Sequence, residues 1–170
     1  MRYFSFIILL LLSFSCTSVS QEKGDTVKVV SDTTISNAND SLLPHRITLL
    51  FAGDLMQHQG QINAARTPAG YDYSDCFKFV KEEISRADIA IANLEVTLGG
   101  KPYRGYPAFS APDEYLSAIR EAGFNVLITA NNHCLDRGKK GLERTILMLD
   151  SLRIPYAGTY TNAETREQRY

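Results

Sequence analysis

Long apolar runs are scarce in this chain. The most apolar stretch, FSFIILLLLSF at residues 4–14, is shorter than the roughly 20 residues that a membrane-spanning helix needs. Charge of one sign is equally absent: 18 Lys and Arg face 19 Asp and Glu, for a net charge of −1. The signs are interspersed, so no basic stripe offers a nucleic-acid footprint and no charge run suits an anionic lipid surface. No Gly-rich loop follows the first apolar run of the folded region, which speaks against a nucleotide-phosphate cradle. Gly99 and Gly100 stand too isolated to replace one. Cysteine and histidine are few, three of each. With Cys16 set aside, Cys76 and Cys134 are expected as two free, partly buried thiols, since only spatial proximity would allow them to pair.

What is present begins with a leader. Met1-Arg2, the short apolar run and Cys16 have the layout of a secretory signal at residues 1–16. Cys16 stands where a lipoprotein signal places its acylated cysteine; the alternative is an ordinary signal peptide with an incidental cysteine. Residues 17–44, SVSQEKGDTVKVVSDTTISNANDSLLP after Thr17, are rich in Ser, Thr, Asp and Asn. They hold too little apolar surface to offset chain entropy, as expected of a flexible tether. Export to the cell envelope, with a lipid anchor holding the domain at a membrane, is the localisation this implies. The remainder, 45–170, is long enough for one domain.

From Arg46 the hydrophobic period alternates. Residues 46–53 (RITLLFAG), 88–95 (DIAIANLE), 124–130 (FNVLITA) and 154–158 (IPYAG) read as short buried strands. Between them, 74–87, 111–123 and 139–153 have helical spacing: Phe77, Val80 and Ile84 on one face of the first, and Leu142, Ile146, Leu149 and Leu152 on one face of the last. Ser74 is placed to cap the first helix, Pro112 to open the second and Gly123 to close it. The pattern predicts an α/β fold, a parallel sheet with flanking helices. Residues 96–110 (VTLGGKPYRGYPAFS) break the alternation and are expected as an ordered loop at one end of the sheet.

Polar residues gather where the apolar runs stop. Asp54 follows the first run, Asn93 and Glu95 end the second, and Asn131, Asn132, His133 and Asp136 follow the third. Parallel sheets bind ligands outside the carboxyl ends of their strands. Singly, Asp54 reads as a turn or helix cap, Glu95 as a solvated charge and His133 as a structural hydrogen-bonding group. Together they would deliver carboxylates, amides and an imidazole to one rim. Oxygen and imidazole donors suit Mn, Mg, Zn or Fe(II), and such ions activate water for attack on phosphorus.

GDLM (53–56), ANLE (92–95) and NNHCLDRG (131–138) together resemble the capsule-synthesis CapA family, also called the poly-γ-glutamate synthesis (PGA_cap) domain, whose fold is similar to the calcineurin-like metallophosphoesterases. The resemblance runs from about Ile47 to the end of the chain. It implies metal ligands at Asp54, Glu95 and Asn132, with Asn93 beside the bridging carboxylate. It implies that His133 protonates a leaving group or stabilises developing charge. Asp136 then either orients His133 or caps the following helix. The implied partners are an anionic polymer or its synthesis machinery.

Two features depart from that pattern. The wider fold carries a histidine two residues after the first aspartate, where this chain has Met56, a poor partner for hard ions. His58 either reaches in instead or is a surface residue opening the next helix. The wider fold also draws histidines from its C-terminal half, whereas none follows Cys134 here. The expectation is therefore about half of a metallophosphoesterase-like α/β sandwich, the N-terminal part of a longer protein, binding metal weakly on its own. In the loop, Tyr103, Arg104, Tyr106 and Phe109 would either contact an anion between aromatic surfaces or simply pack.

Overall fold

The computed structural model describes residues 46–168. The leader, the tether and Cys16 lie outside the described residues. Four strands, β1 (Leu49–Leu55), β4 (Ile89–Leu94), β5 (Val126–Ile128) and β6 (Tyr156–Ala157), form one parallel sheet in the order β1-β4-β5-β6. Helices α2 (Lys81–Ser85), α3 (Asp113–Ala122) and α4 (Gly138–Ser151) connect them, and α5 (Ala163–Glu167) follows the last strand. This is the expected α/β fold. Between β1 and α2 the chain adds helix α1 (Gln59–Ala64) and a small antiparallel hairpin, β2 (Arg66–Thr67) with β3 (Gly70–Tyr71), which no periodic pattern announced.

The sheet order runs without reversal, and this decides where the helices go. Crossovers between parallel strands are right-handed, so consecutive strands laid side by side send their connecting helices to one face. Burial follows that rule. In β4, Ala90, Ala92 and Leu94 are buried, and they share one core with Ile84 of α2, Leu116 and Ile119 of α3, and Ile146 and Leu149 of α4. The opposite face carries Leu49 and Phe51, 56% and 70% exposed, beside half-buried Ile89 and Ile91 and exposed Ile128. Residues 46–53 were expected as a buried strand; β1 is instead an edge strand with an open apolar face. Its sequence reads as buried because periodicity cannot tell whether a second layer is present.

The helix expected over 74–87 is broken. A 3-10 turn covers Ser74–Cys76, and α2 begins only at Lys81. Phe77 leaves the helical path to set its ring against Tyr115 and Phe124, with centroids 6.4 and 6.3 Å away. Val80 is 47% exposed, leaving Ile84 as the buried member of the expected face. Ser74 is not a cap; its N–H donates to Asp72 Oδ1 at 2.9 Å. Helix α3 agrees with expectation. Pro112 stands at its N-cap, and Gly123 closes it with φ 112°, a left-handed conformation that glycine adopts without strain.

Residues 96–110 form an ordered loop. Arg104 and Ser110 exchange backbone hydrogen bonds of 3.0 and 2.9 Å, and Thr97 Oγ1 donates to the Phe109 carbonyl at 2.6 Å. Arg144 clamps the loop's start to α3, donating to the Leu98 carbonyl and, through two 2.7 Å bonds, to Asp113. Cys76 and Cys134 are both free, the first exposed and the second half-buried. Among the described residues no helix is long and apolar enough to cross a membrane.

Candidate functional site

The ends of β1, β4 and β5 meet at one rim. Phe51 pairs with Ile91 and Asp54 with Asn93, so one extra residue is accommodated in β1 between them. Such a bulge re-aims a side chain. Here it sets Asp54 opposite Asn93 while Leu55 turns into the core. The Asn93 amide donates both its hydrogens to carboxylates, to Asp54 Oδ1 and Glu95 Oε2, each at 2.8 Å. Its oxygen accepts from Asn131 Nδ2 at 3.1 Å, and Asn131 Oδ1 accepts the His133 N–H at 3.0 Å. His133 Nδ1 lies 2.8 Å from Asp136 Oδ2, which also accepts the Phe109 N–H at 2.7 Å. One chain of hydrogen bonds thus runs from the first strand through the third to the loop.

The two carboxylates share the Asn93 amide and lie close enough to act on one another. Glu95 has its pKa raised, first by desolvation, then by its hydrogen bond with the Asp54 carboxyl and by that group's charge; His133 and the Asn93 donor act the other way. Two like charges this close favour neutralisation by a proton or a cation. At the other end of the network Asp136 fixes one ring nitrogen of His133. The second, Nε2, has no hydrogen-bond partner among the described residues. The ring packs edge-on against buried Phe109, centroids 4.6 Å apart, and Tyr106 stands 6.4 Å away.

The other expected residues divide. Asn132 is exposed and makes no side-chain hydrogen bond among the described residues; its neighbour Asn131 carries the link. Asp136 turns to His133 and the loop, while Arg137 is the N-cap of α4. His58 is the N-cap of α1, its N–H donating to Gln61 Oε1 at 2.6 Å. Its ring lies 5.6 Å from Phe109 and 6.4 Å from Tyr106, the two rings that also neighbour His133. Met56 is 37% exposed. In the loop, Phe109 packs and Tyr106 is 69% exposed. Arg104 is exposed and its guanidinium has no ion-pair partner among the described residues. The wall that Phe109 gives His133 had no signature in the sequence, because it depends on the loop folding back.

Among the described residues no three His, Cys, Asp or Glu side chains cluster as a metal centre. The Asp54 and Glu95 carboxylates are oxygen donors of the kind that hard divalent cations take; among the described residues no hydrogen bond joins Asn132 to them. Two concavities of about 400 and 680 Å³ lie outside this rim.

A parallel α/β layer with aspartate, Asn-x-Glu and Asn-Asn-His at three successive strand ends is consistent in fold with a metallophosphoesterase-like domain. Residues 48–170 match the family of bacterial capsule synthesis proteins, PGA_cap, and the chain belongs to it. It is similar to the capsule biosynthesis protein CapA of Bacillus anthracis, 29% identical over 123 residues, covering 69% of this chain and 29% of that protein. It is 31% identical over 125 residues to the uncharacterized protein y4sH of Sinorhizobium fredii, covering 68% of this chain and 26% of the relative. A second uncharacterized protein of that organism, y4uA, is 33% identical over 101 residues, covering 54% and 21%. The chain therefore spans less than a third of the length of these relatives.

Proposed function

We propose that the chain is an exported, envelope-located capsule or poly-γ-glutamate synthesis protein whose rim binds a divalent cation and hydrolyses a phosphoester or a related bond. The supporting observation is the closeness of Asp54 and Glu95, held by one shared donor, Asn93, and linked to His133. Asp54 and Glu95, with Asn132, would hold the ion, whether Mn, Mg, Zn or Fe. A bound divalent ion supplies a polarised phosphoryl oxygen and a more acidic water. Asn93 keeps the carboxylates at a fixed separation, donating one N–H to each. Asp136 holds His133 with Nε2 outward, so the protonated ring can give its proton to a leaving oxygen. Phe109 limits ring rotation and excludes water from one side.

Metal titration of the full-length protein, with turnover of an aryl phosphodiester, tests this reading. The expected result is binding of a divalent ion that is lost in Asp54→Asn, and turnover reduced about 10²–10⁴-fold in His133→Ala, the usual range for a general acid. Asp136→Asn is expected to lower turnover less and to shift its pH profile, because the ring keeps its position and loses the carboxylate partner. Absence of ion binding would remove the hydrolase reading. Met56, two residues after Asp54 where the wider fold carries a histidine, favours a second reading in that event: a non-catalytic envelope component binding an anionic polymer or a synthase partner, scored by polymer association that persists in His133→Ala.

A further inference from the structure

A second concave surface lies at the other end of the same loop. It is an open cleft of about 680 Å³ between the β2–β3 hairpin, α1 and the loop segment at Lys101, lined by Gln59, Arg66, Tyr71, Lys101 and Tyr103 above buried Ile62. Its volume falls within the range of small-ligand sites. Arg66 and Tyr71 face each other across the hairpin, as paired residues of β2 and β3. Tyr71 and Tyr103 are half-buried and meet edge to face, centroids 5.4 Å apart. Contact between the two rings leaves part of each toward the cleft while limiting their motion.

The charges here are uncommitted. Arg66 and Lys101 are exposed, and neither forms an ion pair among the described residues. The carboxylates that sense Tyr103 are Asp113 and Glu114; Asp113 is taken up by Arg144, and Glu114 makes no ion pair with either cleft cation. Gln59 is used internally, donating to Asn63 and accepting the Gly105 N–H. The loop is held in place by Arg137, which donates to the Pro102 carbonyl at 3.1 Å. The cleft thus offers two free cations and two immobilised aromatic rings on a supported frame.

We infer that this cleft binds an acidic saccharide, a sugar ring bearing a carboxylate. Tyrosine rings present flat apolar surface to the C–H face of a sugar at little entropic cost, and Arg or Lys pairs with a carboxylate. A polypeptide carboxylate would use the cations and leave the rings idle. A neutral sugar would do the reverse. The cleft is distinct from the carboxylate rim and involves none of its residues.

The test is calorimetric titration of the full-length chain with a tetraglucuronate, compared with a neutral glucose tetramer and a tetra-γ-glutamate. The expected result is binding of the acidic sugar at least tenfold tighter than either control. Arg66→Gln and Lys101→Gln are each expected to raise its Kd about tenfold, about 1.4 kcal/mol. A second readout needs no variant: NMR of ring-labelled tyrosine should show Tyr71 and Tyr103 resonances shifting on addition of the sugar. Equal binding of the glutamate tetramer or the neutral sugar, unchanged Kd in both variants, or unshifted ring signals would each overturn the assignment. Metal and phosphoester play no part, so failure here leaves the proposal for the rim standing.

Discussion

Asn93 is the residue on which the rim turns. Its amide joins both carboxylates and, through Asn131, reaches His133. The pKa of Glu95 is raised because burial and Asp54 oppose its charge. The folded protein therefore keeps the Glu95 proton to higher pH than the unfolded chain does. Its stability contribution is full below the ordinary glutamate range and is lost as pH rises through the elevated pKa. Urea midpoints in a chelator buffer, followed from about pH 4 to 8 across the carboxylate range, are expected to fall in that window. Asp54→Asn should flatten the fall; an unchanged slope in that variant would show that the two groups do not interact. Strand-end logic found Asp54, Asn93, Glu95 and His133. It assigned a ligand role to Asn132, whereas the amide that joins the hydrogen-bond network is that of Asn131, since which amide turns inward depends on the backbone turn after β5.

At the scale of elements, the helix boundaries tell the same story. Gly123 was legible as the end of α3, and the structure gives the reason twice over. Its φ is 112°, and a Cβ there would lie 2.9 Å from Ser85 Cα. Gly123→Ala should therefore cost about 1–3 kcal/mol, the usual range for strained backbone, read as a lower denaturant midpoint with unchanged m-value. The interrupted helix at 74–87 shows the limit of periodicity. Phe77, Val80 and Ile84 have helical spacing, yet Phe77 gains more by packing against Tyr115 and Phe124 than by continuing the turn. Helix α1 and the hairpin carry too few residues to produce a period at all.

For the whole molecule, the sheet order β1-β4-β5-β6 is the governing fact. It puts the helices on one face and leaves Leu49, Phe51 and Ile128 on the other. Contiguous apolar surface of this kind drives association, and β1 is the edge of the sheet among the described residues. The relatives are more than three times the matched length. Chain 46–168 prepared alone is expected to self-associate in sedimentation velocity, and Phe51→Glu to shift it toward monomer. A monomer for the unaltered chain would mean that this face is tolerated by water.

The sequence by itself determined the α/β alternation, the parallel strands, the family and the three polar strand ends, because these follow from hydrophobic period and local motif. Tertiary structure decided the rest: the bulge that turns Asp54 toward Asn93, the choice of Asn131, the seat of Phe109 against His133 and the uncovered sheet face. Each of those depends on contacts between segments tens of residues apart, and local sequence carries no record of which distant groups will meet.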